Sequence, residues 1–250
     1  MPRPRTQECR EVDKAGRGAL FRGVTVIDRA LLDTDRWFGS LTPGRRDALI
    51  AEARVRTVPA GGLIYGIGDA PNGLWAVIEG QVRLKGYPAA GAEFLALILR
   101  PGTWFGEVST LDGGPRPHDA AAFGAARVLH VPMAAFRRAA ERLPMLYHDV
   151  GRLVCQHQRI ALDFIAETLS LPPAARLARL LTGRGHEDGG LLHVRQEEIA
   201  VMLGMSRQTV NRHLRSLERQ GVIALGYGRI AVRDRPALWR AAGGREHLPT

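Results

Sequence analysis

The side chains best suited to do chemistry lie between Gln196 and Leu217, in QEEIAVMLGMSRQTVNRHLRSL. The chemistry is recognition. Arg207, Gln208, Asn211, Arg212 and Arg215 recur at helical spacing, and their guanidinium and amide groups can donate to base edges and phosphates. Ser206 and Thr209 add hydroxyls that cap a helix or hold a phosphate. No Ser/His/Asp or Cys/His constellation is readable, so no catalytic residue and no enzyme activity are expected. A roll-type metalloenzyme would need clustered ligands. The eight histidines (His118, His130, His148, His157, His186, His193, His213 and His247) show no close pair on one face, and no metal is expected.

Two elements must position the recognition residues. Ile199, Leu203, Val210, Leu214 and Leu217 mark two amphipathic helices. Gly204 lies between them, where a tight turn favours a residue that tolerates positive φ. Ser206 is placed to N-cap the second helix. Such a pair lays its second helix in the major groove of double-stranded DNA. A helix pair with a merely solvated basic face is the alternative. Charge placement favours DNA. The chain carries +10 overall. Residues 172–250 hold 13 Lys+Arg against 7 Asp+Glu, whereas residues 30–171 hold 15 against 14. A basic end on a near-neutral body fits a polyanion partner.

The rest of the chain reads in segments. Residues 1–29 are polar and basic, a flexible tail with no signal-peptide core. Short helices are expected over 30–38 and 43–53, with Thr42 as N-cap and Pro43 at the first position. From Val55 to Val131, short β-type runs alternate with Gly and Pro, as in a small β-roll. A helix over 133–141 closes it. A long helix is expected over 144–169. Leu146, Val150, Leu153, His157, Ile160 and Phe164 alternate at spacings of 4 and 3, an a/d seam for a partner helix. A second stripe, Tyr147, Val154, Ala161 and Ile165, lets the helix pack on two sides. A single core helix is the alternative. Pro172-Pro173 ends it. A helix over 174–181, a loop over 183–190, a strand over 191–194 and a hairpin wing around GYG complete the chain. The domains are thus 30–143, 144–171 and 172–250. Cys9 and Cys155 are too few for a disulfide framework, no apolar run spans a membrane, and a cytoplasmic location follows.

This order of elements resembles the Crp/Fnr family of bacterial transcription regulators. The matching text is GD at 68–69, LWAVIEGQVRL at 74–84, ILRPGTWFGEVSTLDG at 98–113 and RQEEIAVMLGMSRQTVNRHLRSLERQGVI at 195–223. The resemblance implies an α+β chain: an N-terminal β-roll like a cyclic-nucleotide-binding jelly roll, a long dimerisation helix, and a C-terminal winged helix-turn-helix. It implies a homodimer on an imperfect palindrome, with RNA polymerase as a further partner. Arg207 and Arg212 match the family's two recognition arginines. Gln208 falls where members often carry Glu, so the half-site is expected to depart there from a TGTGA-like word, because Gln prefers adenine. His213 falls where an apolar residue is common.

The resemblance also places an effector pocket at Gly106, Glu107, Val108, Arg116 and His118. Gly106-Glu107-Val108 keeps the family's Gly-Glu-Leu run, and Glu107 would accept from a ribose hydroxyl. The phosphate end departs. Arg116 comes one position early, Pro117 has no N–H to offer, and Asp119 adds negative charge. Ala161-Leu162 replaces the hydroxyls that hold adenine. The pocket is therefore expected to be closed or to take a ligand other than cyclic AMP. Gating by cyclic AMP is one alternative; a cyclic-nucleotide module without DNA binding is another.

Overall fold

Asp35 decides where the first helices break. Its carboxylate accepts from the backbone N–H of Trp37 (2.9 Å) and Phe38 (3.0 Å). That cap divides the helix expected over 30–38 into α1 (Arg29–Asp33) and α2 (Arg36–Gly39). In α3 (Pro43–Ile50), Pro43 occupies the first turn as expected. Thr42 precedes it, but its hydroxyl accepts from Arg45 Nε (3.1 Å) and makes no backbone cap. The computed structural model describes residues 29–87, 94–182 and 191–244. The tail expected before Arg29 and the loop over 183–190 lie outside these.

The roll is built from β1 (Arg54–Val58), β2 (Leu63–Tyr65), β3 (Gly73–Gly86), β4 (Phe94–Leu99), β5 (Trp104–Phe105) and β6 (Asp119–Pro132), with α4 (Glu107–Asp112) before β6. The antiparallel order is β1-β6-β3-β4, with β2 on β6 and β5 on β3. Successive side chains on a strand point to opposite faces, and both faces of the centre are covered. Trp75, Val77 and Val128 point into the roll. Leu74, Ala76, Leu129 and Val131 pack outward with Trp37, Phe38, Trp104 and Phe136. This double burial explains the continuous apolar run LWAV.

Then come α5 (Met133–Arg142) and the long helix α6 (Met145–Ser170). Leu146, Val150 and Leu153, expected at the dimer seam, are fully buried in the chain's own core with Trp37 and Phe38. Trp37 Nε1 also donates to the Asp149 carbonyl (2.5 Å). Phe164 packs on the C-terminal core, and His157 bonds Glu107. The periodicity marks an apolar face, and α2, α5 and the roll cover its first half, through Leu153. The open face carries Cys155, Leu162, Ile165 and Leu169, the last 84% exposed.

The C-terminal part runs α7 (Pro173–Thr182), β7 (Leu191–His193), α8 (Gln196–Leu203), α9 (Arg207–Arg219), β8 (Ile223–Gly226), β9 (Arg229–Val232) and α10 (Arg235–Ala241). The three strands form one sheet, β7-β9-β8. The sequence reading missed α10, which Asp234 caps by accepting from Ala237 N–H (2.9 Å). Among the described residues no helix is long and apolar enough to cross a membrane.

Leu153→Ala should cost about 2–5 kcal/mol in denaturant unfolding and leave the oligomeric state unchanged. Dissociation without loss of unfolding free energy would return Leu153 to an interface.

Candidate nucleic-acid interface and effector pocket

The recognition helix α9 begins where Ser206 Oγ accepts from Thr209 N–H (3.1 Å). The two hydroxyls also bond each other (2.9 Å), so both serve the cap. Gly204 ends α8 in the left-handed region, φ +60°, the conformation expected of the turn. Val210, Leu214 and Leu217 face the core. This turns Arg207, Gln208, Arg212 and Arg215 outward, exposed, with Thr209 and Asn211 half-buried. His213 is half-buried on the same helix. Burial lowers its pKa, helped by the charge of Arg212.

Sequence reading missed two supporting residues on α8. Gln196 Oε1 accepts from Asn211 Nδ2 (2.8 Å). Glu197 pairs with Arg207 (3.0 Å). Both share one open groove wall with the reading side chains or bind them directly. Only the folded turn brings these pairs together, so spacing along the chain gives no hint of them.

The pocket side chains meet between the roll and α6. Arg116 is 1% exposed. It donates through Nη1 to the Gly106 carbonyl (2.7 Å), and through Nη2 to the Gly73 carbonyl (2.7 Å) and Asn72 Oδ1 (2.5 Å). Its guanidinium lies 4.3 Å from the Tyr65 ring centroid. Burial pulls its pKa down, against the nearby Tyr65, Glu107 and Asp69. Burial pushes Tyr65 up. Gly106 sits at φ +84°, and a Cβ there would lie 2.9 Å from Arg116 Nη1. Glycine is thus required on both counts. Glu107 is 7% exposed, and its Oε1 bonds His157 Nδ1 (2.8 Å). His118 is half-buried, and burial lowers its pKa against the charge of Glu107. Val108 is 39% exposed. Asp119 accepts from Ile67 N–H and Tyr87 Oη, both at 2.7 Å. Asn72 and Tyr65 are pocket residues the sequence reading did not name.

The model of the cyclic nucleotide-binding domain matches residues 55–142. That of the Crp-like helix-turn-helix domain matches residues 175–241. The cyclic AMP receptor protein of Thermus thermophilus is 33% identical over 209 residues, which are 83% of this chain and 96% of its own. The chain belongs to the Crp/Fnr family of transcriptional regulators. A CRP-like cAMP-activated global transcriptional regulator of Mycobacterium tuberculosis is 28% identical over 213 residues, 82% of this chain and 95% of its own. Among solved structures, a CRP-family transcriptional regulator from Thermus thermophilus matches with TM-score 0.59 at 28% identity, covering 76% of this chain and 97% of that one. FixK2 from Bradyrhizobium japonicum, at 22% identity, shares the fold with TM-score 0.67 over 78% of this chain and 99% of its own.

In this Crp/Fnr chain the two polar groups best suited to a nucleotide are already engaged. Burial disfavours the charged form of His157, but the hydrogen bond to Glu107 and the charges of Glu107 and Asp35 outweigh it and raise its pKa. A raised histidine pKa stabilises the fold fully below the unfolded value of about 6.5, and that contribution is lost as pH rises through the folded value. Thermal melts of the native protein and His157→Gln should therefore differ most near pH 6, with the gap narrowing toward pH 9. A gap independent of pH would remove the charged pair.

Proposed function

We propose that the chain is a homodimeric, sequence-specific DNA-binding transcription regulator whose effector pocket is closed to cyclic AMP by its own side chains. The observation that carries the pocket reading is that Arg116 and Glu107 are each held by other groups of the chain. The guanidinium that would meet a phosphate donates to Gly73, Gly106 and Asn72, and the carboxylate that would meet a ribose holds His157. A cyclic nucleotide would have to draw Arg116 from its carbonyl and amide partners and leave these buried acceptors unpaired, which is costly.

The domains we assign are the roll over 30–143, α6 as dimerisation helix over 144–171, and the winged helix-turn-helix from 172. The dimer face is the open side of α6. Gly151, Cys155, Gln158, Leu162, Ile165 and Leu169 repeat at 4-3-4-3-4, an a/d seam displaced from the one the sequence suggested. Leu162 and Ile165 are each about half exposed in the single chain, at 53% and 52%, and a second helix would cover them. Two-fold symmetry would then match a palindrome. RNA polymerase is the expected partner at the bound promoter.

A second reading has its own support. Gly106-Glu107 is retained, and relatives with 33% and 28% identity are named for cyclic AMP. Fluorescence anisotropy on a labelled TGTGA-type palindrome and a scrambled control, at fixed salt, separates the two. Specific binding unchanged by cyclic AMP is expected. Binding that requires the nucleotide would install the second reading.

Arg207→Ala should lose about 1–3 kcal/mol of discrimination against the scrambled duplex. Unchanged discrimination would remove Arg207 from base reading. Leu162→Asp with Ile165→Asp should give a folded monomer in sedimentation, and a persistent dimer would refute the displaced seam.

A further inference from the structure

The roll grips the helix-turn-helix at the start of α8. Arg83, on β3, is 5% exposed and pairs through Nη1 with Glu198 Oε1 on α8. The other oxygen of Glu198 accepts from Arg195 N–H (2.7 Å), which is the capping bond of α8. Phe123 on β6 lies under both cations, 3.3 Å from the Arg83 guanidinium carbon and 5.9 Å from that of Arg195. An apolar contact completes the joint, because Ile98 of β4 packs against the C-terminal core. Charge, ring and apolar contacts thus converge on the first turn of one helix.

That turn also serves the reading surface. Gln196 and Glu197, the two residues before Glu198, hold Asn211 and Arg207. In a helix-turn-helix the first helix crosses the DNA backbone, and phosphates gather at a helix N-terminus. Here the N-terminal end of α8 is packed on the roll, and Arg195, itself exposed, lies 5.9 Å from the Phe123 ring.

We infer that Arg83, Phe123 and Ile98 form a latch that holds the DNA-binding unit against its own roll and restrains DNA binding until it opens. Arg83 is a positioning residue acting through Glu198. Opening frees the end of α8 and lets it carry the exposed Arg195 to a phosphate. The inference rests on the DNA-binding reading above.

The test is anisotropy with Arg83→Ala, Ile98→Ala and Glu198→Gln, the last keeping an acceptor for the capping bond. Each should bind the palindrome tighter by about fivefold or more. The plot of log affinity against log salt should steepen by about 0.9 for each arginine released. Adding Arg195→Ala should abolish that extra slope, a readout that simple loosening of the fold would not give. The pair Arg83→Glu with Glu198→Arg should move affinity back toward the native value. Affinity unchanged or weakened in the folded variants overturns the latch. Hydrogen exchange without DNA keeps the two readings apart. Faster exchange over α8 in Ile98→Ala supports an opened joint even if no chosen duplex binds, and unchanged exchange overturns it. Failure of the native protein to prefer any palindrome would instead count against the DNA-binding reading.

Discussion

The burial of the first half of α6 in the roll constrains all that follows it. Leu146, Val150 and Leu153 fill one core with Trp37, Phe38 and Phe136. Their removal from water is the main force fixing the helix direction. A rigid helix then carries that direction forward at about 1.5 Å per residue. One turn past Leu153 it delivers His157 to Glu107. Two turns further, Phe164 reaches the DNA-binding core, and Glu167 pairs with Arg179 of α7 (2.6 Å). The same rod therefore serves the core, the pocket and the C-terminal unit, while its remaining side stays open.

The pocket follows from a different constraint. A buried guanidinium is costly unless its N–H groups are satisfied. Arg116 meets this requirement at Nη1 and Nη2, with two carbonyls and an amide oxygen, while its buried Nε has no partner and the Tyr65 ring face adds a cation–π contact. Asn72 is shared, since its Oδ1 also accepts from Trp75 Nε1 (3.1 Å) and its carbonyl meets His130 Nε2 (2.8 Å). Trp75 in turn stacks on His130 at 3.8 Å. A ligand phosphate would have to draw Arg116 out of this network.

Local signals were legible in the sequence and distant ones were not. Gly204, Ser206 and the spacing of Val210, Leu214 and Leu217 all act within two turns, so the start and the buried face of the recognition helix are legible. The cap at Asp35 is equally local, but its carboxylate was not weighed against the apolar pattern around it, and one helix was expected where two stand. The fate of Arg116 depends on acceptors 43 and 44 residues earlier, which no spacing rule reaches. The first half of the α6 seam lies in the chain's own core for a related reason. Periodicity reports that a helix has an apolar face, but the identity of its neighbour is a tertiary fact.

Pocket and reader are joined along two elements, and both are stiff. Strand β3 offers the Gly73 carbonyl to Arg116 at its start and Arg83 to Glu198 near its end. Helix α6 offers His157 to Glu107 and, further on, Phe164 to the DNA-binding core. On the latch inferred above, a molecule that withdrew Arg116 or Glu107 from its present partners would alter the restraint on β3 or α6, and with it the placement of α8. A ligand can shift such an equilibrium only by its differential affinity for the two arrangements. Because this chain already engages both Nη groups of Arg116 and one oxygen of Glu107 internally, the arrangement seen here starts with an advantage that an incoming ligand must first overcome. Self-filling of the pocket and restraint at α8 are in this sense one constraint acting at two ends of the same strand.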